Sequence, residues 1–233
     1  MEYKLDDCTY YEKLMINGKP IYIFESHNMA LPVWGTFASK LGLLHLLSFD
    51  AHTDTHPPFS KLMRESGATP ELCYKNALLN RVVSHTLERI AYQKENFNFE
   101  DIFKYSEYIG NTEQILTGVA FGYLSSYTIR CHRSGYETTD RFCGYDATYL
   151  DDDDIRKPNV KDPLALDIDL DYFRSEYDLD CYFENYIAPY LQRAVVITIA
   201  REPSYFNSEK VDKQFTVEKA ESLLLELLGR ISC

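Results

Sequence analysis

Aspartates interrupt or directly follow two apolar segments of this chain, and this pattern limits how the chain can fold. The apolar segment HLLSF continues as DAHTD (residues 50–54), and the apolar segment LAL continues as DIDLD (residues 167–171). A buried carboxylate without a partner is costly, so these aspartates need a cation or several hydrogen-bond donors nearby. We therefore expect the fold to bring both segments to a common polar site.

Short runs rich in β-branched or aromatic residues predict four buried strands. They lie at residues 20–26, 45–49, 164–170 and 194–200. Each run ends in polar or ionisable residues, which is typical of a parallel sheet with its chemistry at the carboxyl edge. A weaker apolar run at residues 116–123 predicts a fifth strand.

Apolar residues at helical spacing predict helices at residues 31–41, 71–92 and 211–231. Strands that alternate with helices indicate an α/β fold with a mostly parallel central sheet. The chain of 233 residues is long enough for one sizeable core, and no change in composition marks a linker. We expect a single domain over residues 1–233.

The composition argues against several classes of function. A formal net charge of -12 without a basic patch argues against nucleic-acid binding, which needs Lys and Arg at the phosphates. No run approaches the ~20 apolar residues of a membrane span, and the N-terminus has no signal-peptide pattern. We therefore expect a cytoplasmic protein with no membrane contact. The acidic balance favours cations and cationic substrates as ligands.

The DAHTD segment places three possible metal ligands at alternate positions directly after a predicted strand. In an extended chain Asp50, His52 and Asp54 project to the same side, where neighbouring ions can share them. The DIDLD segment supplies further carboxylates, and His27 follows another predicted strand at the same edge. Together these side chains suit two divalent ions such as manganese. A polar strand end, and a hydrogen-bonded structural histidine at position 27, remain the alternatives.

The motifs SFDAHTD and LALDIDLD resemble the two aspartate-rich metal motifs of the arginase, agmatinase and deacetylase superfamily, in the same chain order. The flanking sequences FESHNMALPVW and ITIAREPSY most closely resemble those of short peptide arginases, which convert arginine residues in ribosomally made precursor peptides to ornithine. The similarity covers roughly residues 22–206. It implies a three-layer arginase-like fold and an arginine-containing precursor peptide as the partner.

The resemblance also implies a ligand set for two Mn²⁺ ions. The implied ligands are His27, Asp50, His52, Asp54, Asp167 and Asp169. Asp50 and Asp167 would each bridge the two ions. His27 and Asp54 would bind one ion only. His52 and Asp169 would bind the other.

Two of the acids would act in hydrolysis of the guanidinium group to urea. Asp54 would carry a proton to the departing ornithine amine. Glu202, after the last predicted strand, would pair with the substrate guanidinium through charge-assisted hydrogen bonds. The segment THPPFSKLM (residues 55–63) lacks the Asn- and Ser-containing loop that holds the α-groups of free arginine in other arginases, which favours a peptide substrate.

Other functions stay open from the sequence alone. Metal chemistry does not identify the far end of the substrate, so hydrolysis of a small guanidine such as arginine or agmatine is the first alternative. A zinc deacetylase, which uses one ion, and a non-catalytic protein that retained the fold are the others. His56 and His132 could shuttle protons, although a structural role is the simpler interpretation of each. The sequence indicates no oligomeric state.

Overall fold

One seven-stranded sheet organises the part of the chain that the structure describes. This computed structural model describes residues 11–56, 99–106, 109–132, 146–151, 154 and 157–231. The strands are β1 (Tyr11–Ile16), β2 (Lys19–Phe24), β3 (Leu44–Phe49), β4 (Leu124–Arg130), β5 (Asp146–Leu150), β6 (Leu164–Asp169) and β7 (Ala194–Ala200).

The strand order brings the carboxyl ends of six strands to one edge of the sheet. The order is β1-β2-β7-β6-β3-β4-β5. All neighbouring pairs are parallel except β1 and β2, which form an antiparallel hairpin. Its two-residue turn places Asn17 and Gly18 at φ 49° and 74°, a left-handed conformation that Asn and Gly tolerate best.

Helices cover both faces of this sheet. They are α1 (Ala30–Leu41), α2 (Phe99–Ser106), α3 (Gln114–Ala120), α4 (Glu176–Tyr182), α5 (Ala188–Leu191), α6 (Pro203–Glu209) and α7 (Val217–Arg230). Two 3₁₀ turns follow strands, at His27–Met29 after β2 and at Leu170–Tyr172 after β6. A π-helical turn at Phe183–Ile187 joins α4 to α5.

A separate apolar core lies on each face of the sheet. Trp34 of α1 and Leu116 of α3 belong to the core on one face. Phe206 of α6 and Leu224 of α7 belong to the core on the other. Burial of such a side chain contributes about 1.5–3 kcal/mol, so both layers hold the sheet firmly. The expected α/β fold with a mostly parallel central sheet is confirmed, with helices on both of its faces.

Most of the predicted elements agree with the structure. The four strand predictions match β2, β3, β6 and β7, and residues 31–41 match α1. The C-terminal helix begins later than expected, at Val217, because the Thr216 side chain caps it by accepting from the Lys219 N–H. The helix predicted at residues 71–92 lies outside the described residues. Among the described residues, no helix is both long and apolar enough to cross a membrane.

The strand predicted at residues 116–123 is wrong, because most of this run is helix α3. All but its last residue are buried, so its apolar residues do not show the one-sided pattern of a surface helix. Gly118 lets α3 pack closely: a Cβ there would lie 3.1 Å from Leu124 Cδ1 and 3.4 Å from Trp34 Cε3. The chain turns at Gly122, which has φ 70°, and β4 begins two residues later.

Candidate metal centre

Four adjacent strands of the sheet lead into polar side chains at the same edge. His27 follows β2, the DAHTD segment follows β3, the DIDLD segment ends β6, and Glu202 follows β7. Because β2, β7, β6 and β3 are neighbours in the sheet, these side chains converge. The structure therefore brings these predicted site residues together at the carboxyl edge of the sheet.

Three carboxylates surround the Nδ1 atom of His27. This atom lies 3.0 Å from Asp54 Oδ2, 3.3 Å from Asp169 Oδ2 and 3.5 Å from Asp50 Oδ2. Such spacings are those between ligand atoms that each lie about 2.1 Å from one shared cation. His27, Asp50 and Asp169 together could hold a metal ion, and we call these three residues the first ligand group.

A second ligand group, which consists of Asp50, His52 and Asp171, adjoins the first. His52 Nδ1 lies 3.3 Å from Asp171 Oδ2 and 3.7 Å from Asp50 Oδ1. Asp50 thus presents Oδ2 to the first group and Oδ1 to the second. A carboxylate placed in this way can bridge two cations. The His52 side chain is 34% exposed, whereas both acids are buried, so the second group lies nearer to solvent.

The first ligand group carries more negative charge than the surrounding protein satisfies. His27 Nδ1 and Asp50 Oδ2 are buried and have no hydrogen-bond partner in the part of the chain that the structure describes. Burial, together with the charges of Asp54 and Asp171, raises the pKa of Asp50 well above its usual value. Burial and neighbouring acids do the same to the pKa of Asp169. A divalent cation would relieve both effects, so the buried nitrogen and oxygen donors fit such an ion.

Protonation of His52 competes with cation binding in the second group. Hydrogen bonds with Asp171 and Asp50 raise the pKa of His52 to about 12, against the opposing effect of burial. Without a cation, a proton on this ring offsets part of the charge of the two acids. Since a metal ligand must be neutral imidazole, cation binding would release that proton.

Asp167 lies outside both ligand groups, contrary to the bridging role expected for it. Its Oδ2 accepts from His27 Nε2 at 2.8 Å and from Ser48 Oγ at 2.9 Å, and its Oδ1 accepts from Thr198 Oγ1 at 2.6 Å. Both oxygens are therefore already engaged. Burial opposes protonation of His27, but the charge and hydrogen bond of Asp167, with the acids at Nδ1, raise its pKa well above the ordinary value. Asp167 thus fixes the ring so that Nδ1 faces the carboxylates.

The acids of the DIDLD segment that join the ligand groups are Asp169 and Asp171, not Asp167 and Asp169, and Asp169 lies with His27 although the sequence analysis expected it with His52. Asp169 joins the first group, and Asp171, which the sequence analysis did not select, joins the second. The 3₁₀ turn after β6 sets this arrangement: Asp169 Oδ1 accepts from the Asp171 N–H, and Asp171 Oδ1 accepts from the Ala51 N–H. The alternation of acids continues to Asp171, so the sequence did contain a signal for this residue.

Asp54 and Glu202 both adopt a left-handed backbone conformation at the site. Their φ angles are 47° and 36°. Such a conformation costs a residue other than glycine about 1–3 kcal/mol and concentrates at functional sites. Asp54 Oδ2 accepts from Gln114 Nε2 at 2.6 Å. Both Asp54 and Glu202 are buried, with 6% and 8% exposure.

Glu202 is held from two directions. Its Oε1 accepts from the His27 backbone N–H at 2.9 Å, and Asn111 Nδ2 lies 3.0 Å from both of its oxygens. Burial and the charge of Asp54 raise the pKa of Glu202 to about 7. This acid therefore changes charge near neutral pH, as an acid that takes part in chemistry often does.

The two histidines considered as proton shuttles have partners of their own. His56 Nδ1 is 2.9 Å from Thr112 Oγ1, and His132 Nε2 is 3.0 Å from the Tyr172 carbonyl oxygen. The His132 ring also stacks on the Tyr172 ring.

Tyr205 lies beside the second ligand group. This residue is 41% exposed, and the centre of its ring is 5.9 Å from the centre of the His52 ring.

Comparison of the sequence with models of known protein families found no match, and a search of curated proteins found none either. The function is therefore inferred from the chemistry of the two ligand groups and of the residues around them.

Proposed function

We propose that this chain is a manganese-dependent hydrolase of the arginase type that converts arginine side chains in a peptide to ornithine and releases urea. The observation that carries the proposal is the pair of adjoining ligand groups that share Asp50. A zinc deacetylase needs one cation, whereas a shared carboxylate between two groups favours a binuclear centre. The same arrangement favours hydrolysis over a purely structural metal site.

The first ligand group with Asp54 would hold one Mn²⁺ ion, and the second ligand group would hold the other. Carboxylate and imidazole donors suit manganese, and neither group contains a cysteine. When bound, such a pair of cations supplies an activated water molecule at neutral pH. Because His52 is partly exposed and Asp169 is buried, we expect the ion of the second group to exchange faster with solvent.

Glu202 would bind the guanidinium group of the substrate. Among the described residues its Oε2 accepts from Asn111 alone, so this oxygen can also accept from a guanidinium N–H. A carboxylate and a guanidinium form strong charge-assisted hydrogen bonds. The net charge of -12 adds a general attraction for cationic peptides.

Asp54 would transfer the proton that the reaction requires. Water adds to the guanidinium carbon, and the bond from this carbon to the nitrogen that stays on the side chain then breaks. That nitrogen takes a proton and becomes the ornithine amine, while the carbon leaves as urea. The buried Asp54 carboxylate, beside His27 and fixed by Gln114, would accept a proton from the water and donate it to this nitrogen.

A peptide substrate is favoured over free arginine by the sequence that follows Asp54 and by one exposed ring beside the centre. The THPPFSKLM segment lacks the loop that grips the α-groups of the free amino acid. Tyr205 offers an exposed ring beside the second ligand group, where it would contact the peptide next to the arginine. Contacts along the peptide could then position the guanidinium, an advantage that the free amino acid lacks.

The decisive experiment measures metal content first and then hydrolysis by the manganese-loaded protein. Free arginine, agmatine and arginine-containing peptides are incubated at equal metal loading, with urea assayed and the peptides analysed by mass spectrometry. We expect urea and a peptide lighter by one cyanamide unit per converted arginine. Turnover of a small guanidine alone would identify a small-molecule ureohydrolase. Two bound ions without urea from any of these substrates would contradict the arginase assignment.

A further inference from the structure

One short segment, IGNTEQ (residues 109–114), contacts the site at several separate places. It joins α2 to α3 and continues into the first residue of α3. Asn28, next to His27, donates to the Ile109 carbonyl oxygen at 3.0 Å. The His56 N–H donates to the Thr112 carbonyl oxygen at 2.9 Å. The IGNTEQ segment is thus tied to the chain that follows both β2 and β3.

The same segment supplies a carboxamide to each of the two acids with a left-handed backbone. Gln114 Nε2 donates to Asp54 Oδ2, and Asn111 Nδ2 donates to both oxygens of Glu202. Asp54 follows β3 and Glu202 follows β7, yet the same short segment donates to both acids. An acid in a strained backbone conformation keeps its orientation only where surrounding groups fix it.

The unsatisfied polarity of Gln114 indicates what this residue does. Its side chain is fully buried, and its Oε1 has no hydrogen-bond partner among the residues that the structure describes. A buried acceptor left unpaired destabilises the fold, so an apolar side chain of the same length would suit packing better. The donor bond to Asp54 is what the glutamine contributes. It keeps Asp54 Oδ2 at 3.0 Å from His27 Nδ1, on the side of the first ligand group.

We propose that Asn111 and Gln114 are positioning residues, with Gln114 holding Asp54 toward the first ligand group and Asn111 holding Glu202 toward the substrate. The Asn111 role rests on the proposed function, because it concerns a guanidinium substrate. The Gln114 role concerns the cation and can be measured without any substrate. Loss of Gln114 should therefore weaken manganese binding, whereas loss of Asn111 should weaken substrate binding.

The Gln114 role is tested by manganese titration of Gln114→Met, with Gln192→Met as the matched control at an exposed glutamine. Loss of a group that orients a metal ligand lowers metal affinity roughly 10- to 100-fold. We expect this loss in Gln114→Met at temperatures where circular dichroism shows it folded, and none in the control. Gln114→Asn keeps the amide but shortens its reach, and serves if Gln114→Met does not fold. Affinity equal to that of the control in the folded variant would overturn the role.

The Asn111 role is tested with Asn111→Leu, for which Asn185→Leu at an exposed position is the control. We expect manganese affinity within about twofold of the wild type and a KM for arginine-containing peptide raised roughly tenfold, because the charged partner of the guanidinium is displaced. An unchanged KM would overturn this role. If the wild type converts no arginine, the proposed function and the Asn111 role fail together, while the manganese titration still decides the role of Gln114.

Discussion

Two buried histidines on the same sheet have very different surroundings. His45, near the start of β3, is 4% exposed, and its Nδ1 and Nε2 lie 2.7 Å and 3.4 Å from the hydroxyls of Ser126 and Thr128. His27, at the opposite edge, is fully buried and has acids at both ring nitrogens. A hydroxyl can rotate to donate or to accept, so the surroundings of His45 need no further charge.

The difference shows which kind of buried polarity points to function. A buried histidine between hydroxyls is satisfied by the protein alone. Several carboxylates around one imidazole are not, because each ionised acid raises the free energy of the others. The carboxyl edge of this sheet therefore carries buried acids that a cation would stabilise, whereas the hydroxyls at the amino edge are partners enough for His45.

The largest effect is expected from Asp50→Asn, which alters the carboxylate that the two ligand groups share. We expect loss of both ions and a fall in activity of at least about a thousandfold, since the cations contribute several kcal/mol to the chemical step. Without metal, the variant should melt at a higher temperature than the wild type, because one buried charge is removed. Metal analysis and melting in chelator measure both. Asp162→Asn, at an exposed ion pair, is the control; two retained ions in Asp50→Asn would contradict the bridge.

Asp167→Asn should have a smaller effect, because Asp167 supports His27 and joins neither ligand group. We expect manganese affinity to fall roughly 10- to 100-fold, with two ions still bound at saturating metal. Manganese titration of this variant beside Asp50→Asn distinguishes a residue that supports a metal ligand from a residue that binds the metal. Loss of both ions at saturation, as in Asp50→Asn, would restore Asp167 to the bridging role predicted from the sequence.

The position of Asp167 outside both ligand groups shows what the spacing of the acids leaves open. Residues 167, 169 and 171 alternate equally well, so spacing alone cannot choose which acids bind a cation. The strand register decides this, because Asp167 lies beside Ser48 of β3 and Thr198 of β7, whose hydroxyls donate to its two oxygens. Pairing of this kind depends on the folded sheet, and no local pattern encodes it.

Other parts of the molecule were predictable to different degrees for physical reasons. The apolar strands and their polar carboxyl ends follow from local composition, which is why β2, β3, β6 and β7 were found. Asn111 and Gln114 were missed because their partners, Glu202 and Asp54, lie 91 and 60 positions away. Helix α3 was predicted as a strand because it is buried on all sides as far as Val119, so its sequence lacks the one-sided apolar pattern of a surface helix.

Glu202→Gln should keep both ions and lower catalytic efficiency on arginine peptides about 10- to 100-fold. Glutamine retains an oxygen acceptor but loses the charge that pairs with the guanidinium. Metal content and peptide kinetics measure the two properties separately. Loss of both metal and activity would show that Glu202 supports the cations. Unchanged kinetics would show that Glu202 does not bind the substrate.

The stability of the metal-free protein should also depend on pH, because of Glu202 at the carboxyl edge of the sheet. The pKa of Glu202 is raised from 4.5 to about 7, so its contribution to stability is fully present below about pH 4.5 and is lost as the pH rises through about 7. Metal-free wild type should therefore lose stability relative to Glu202→Gln between about pH 5 and about pH 8. Melting temperatures of both proteins in chelator test this, and parallel curves would contradict it.

The smallest effect on function is expected at the other histidine. His45→Gln removes a ring between the hydroxyls of Ser126 and Thr128, which costs about 1 kcal/mol and lowers the melting temperature of a chain of this size by roughly 2–4 °C. Manganese content and peptide turnover should match the wild type well below that temperature, because neither ligand group includes His45. His27→Gln is the paired variant: it should lose the ion of the first ligand group. If His45→Gln also lost metal, the two edges would be coupled, and the contrast between satisfied and unsatisfied buried polarity would fail.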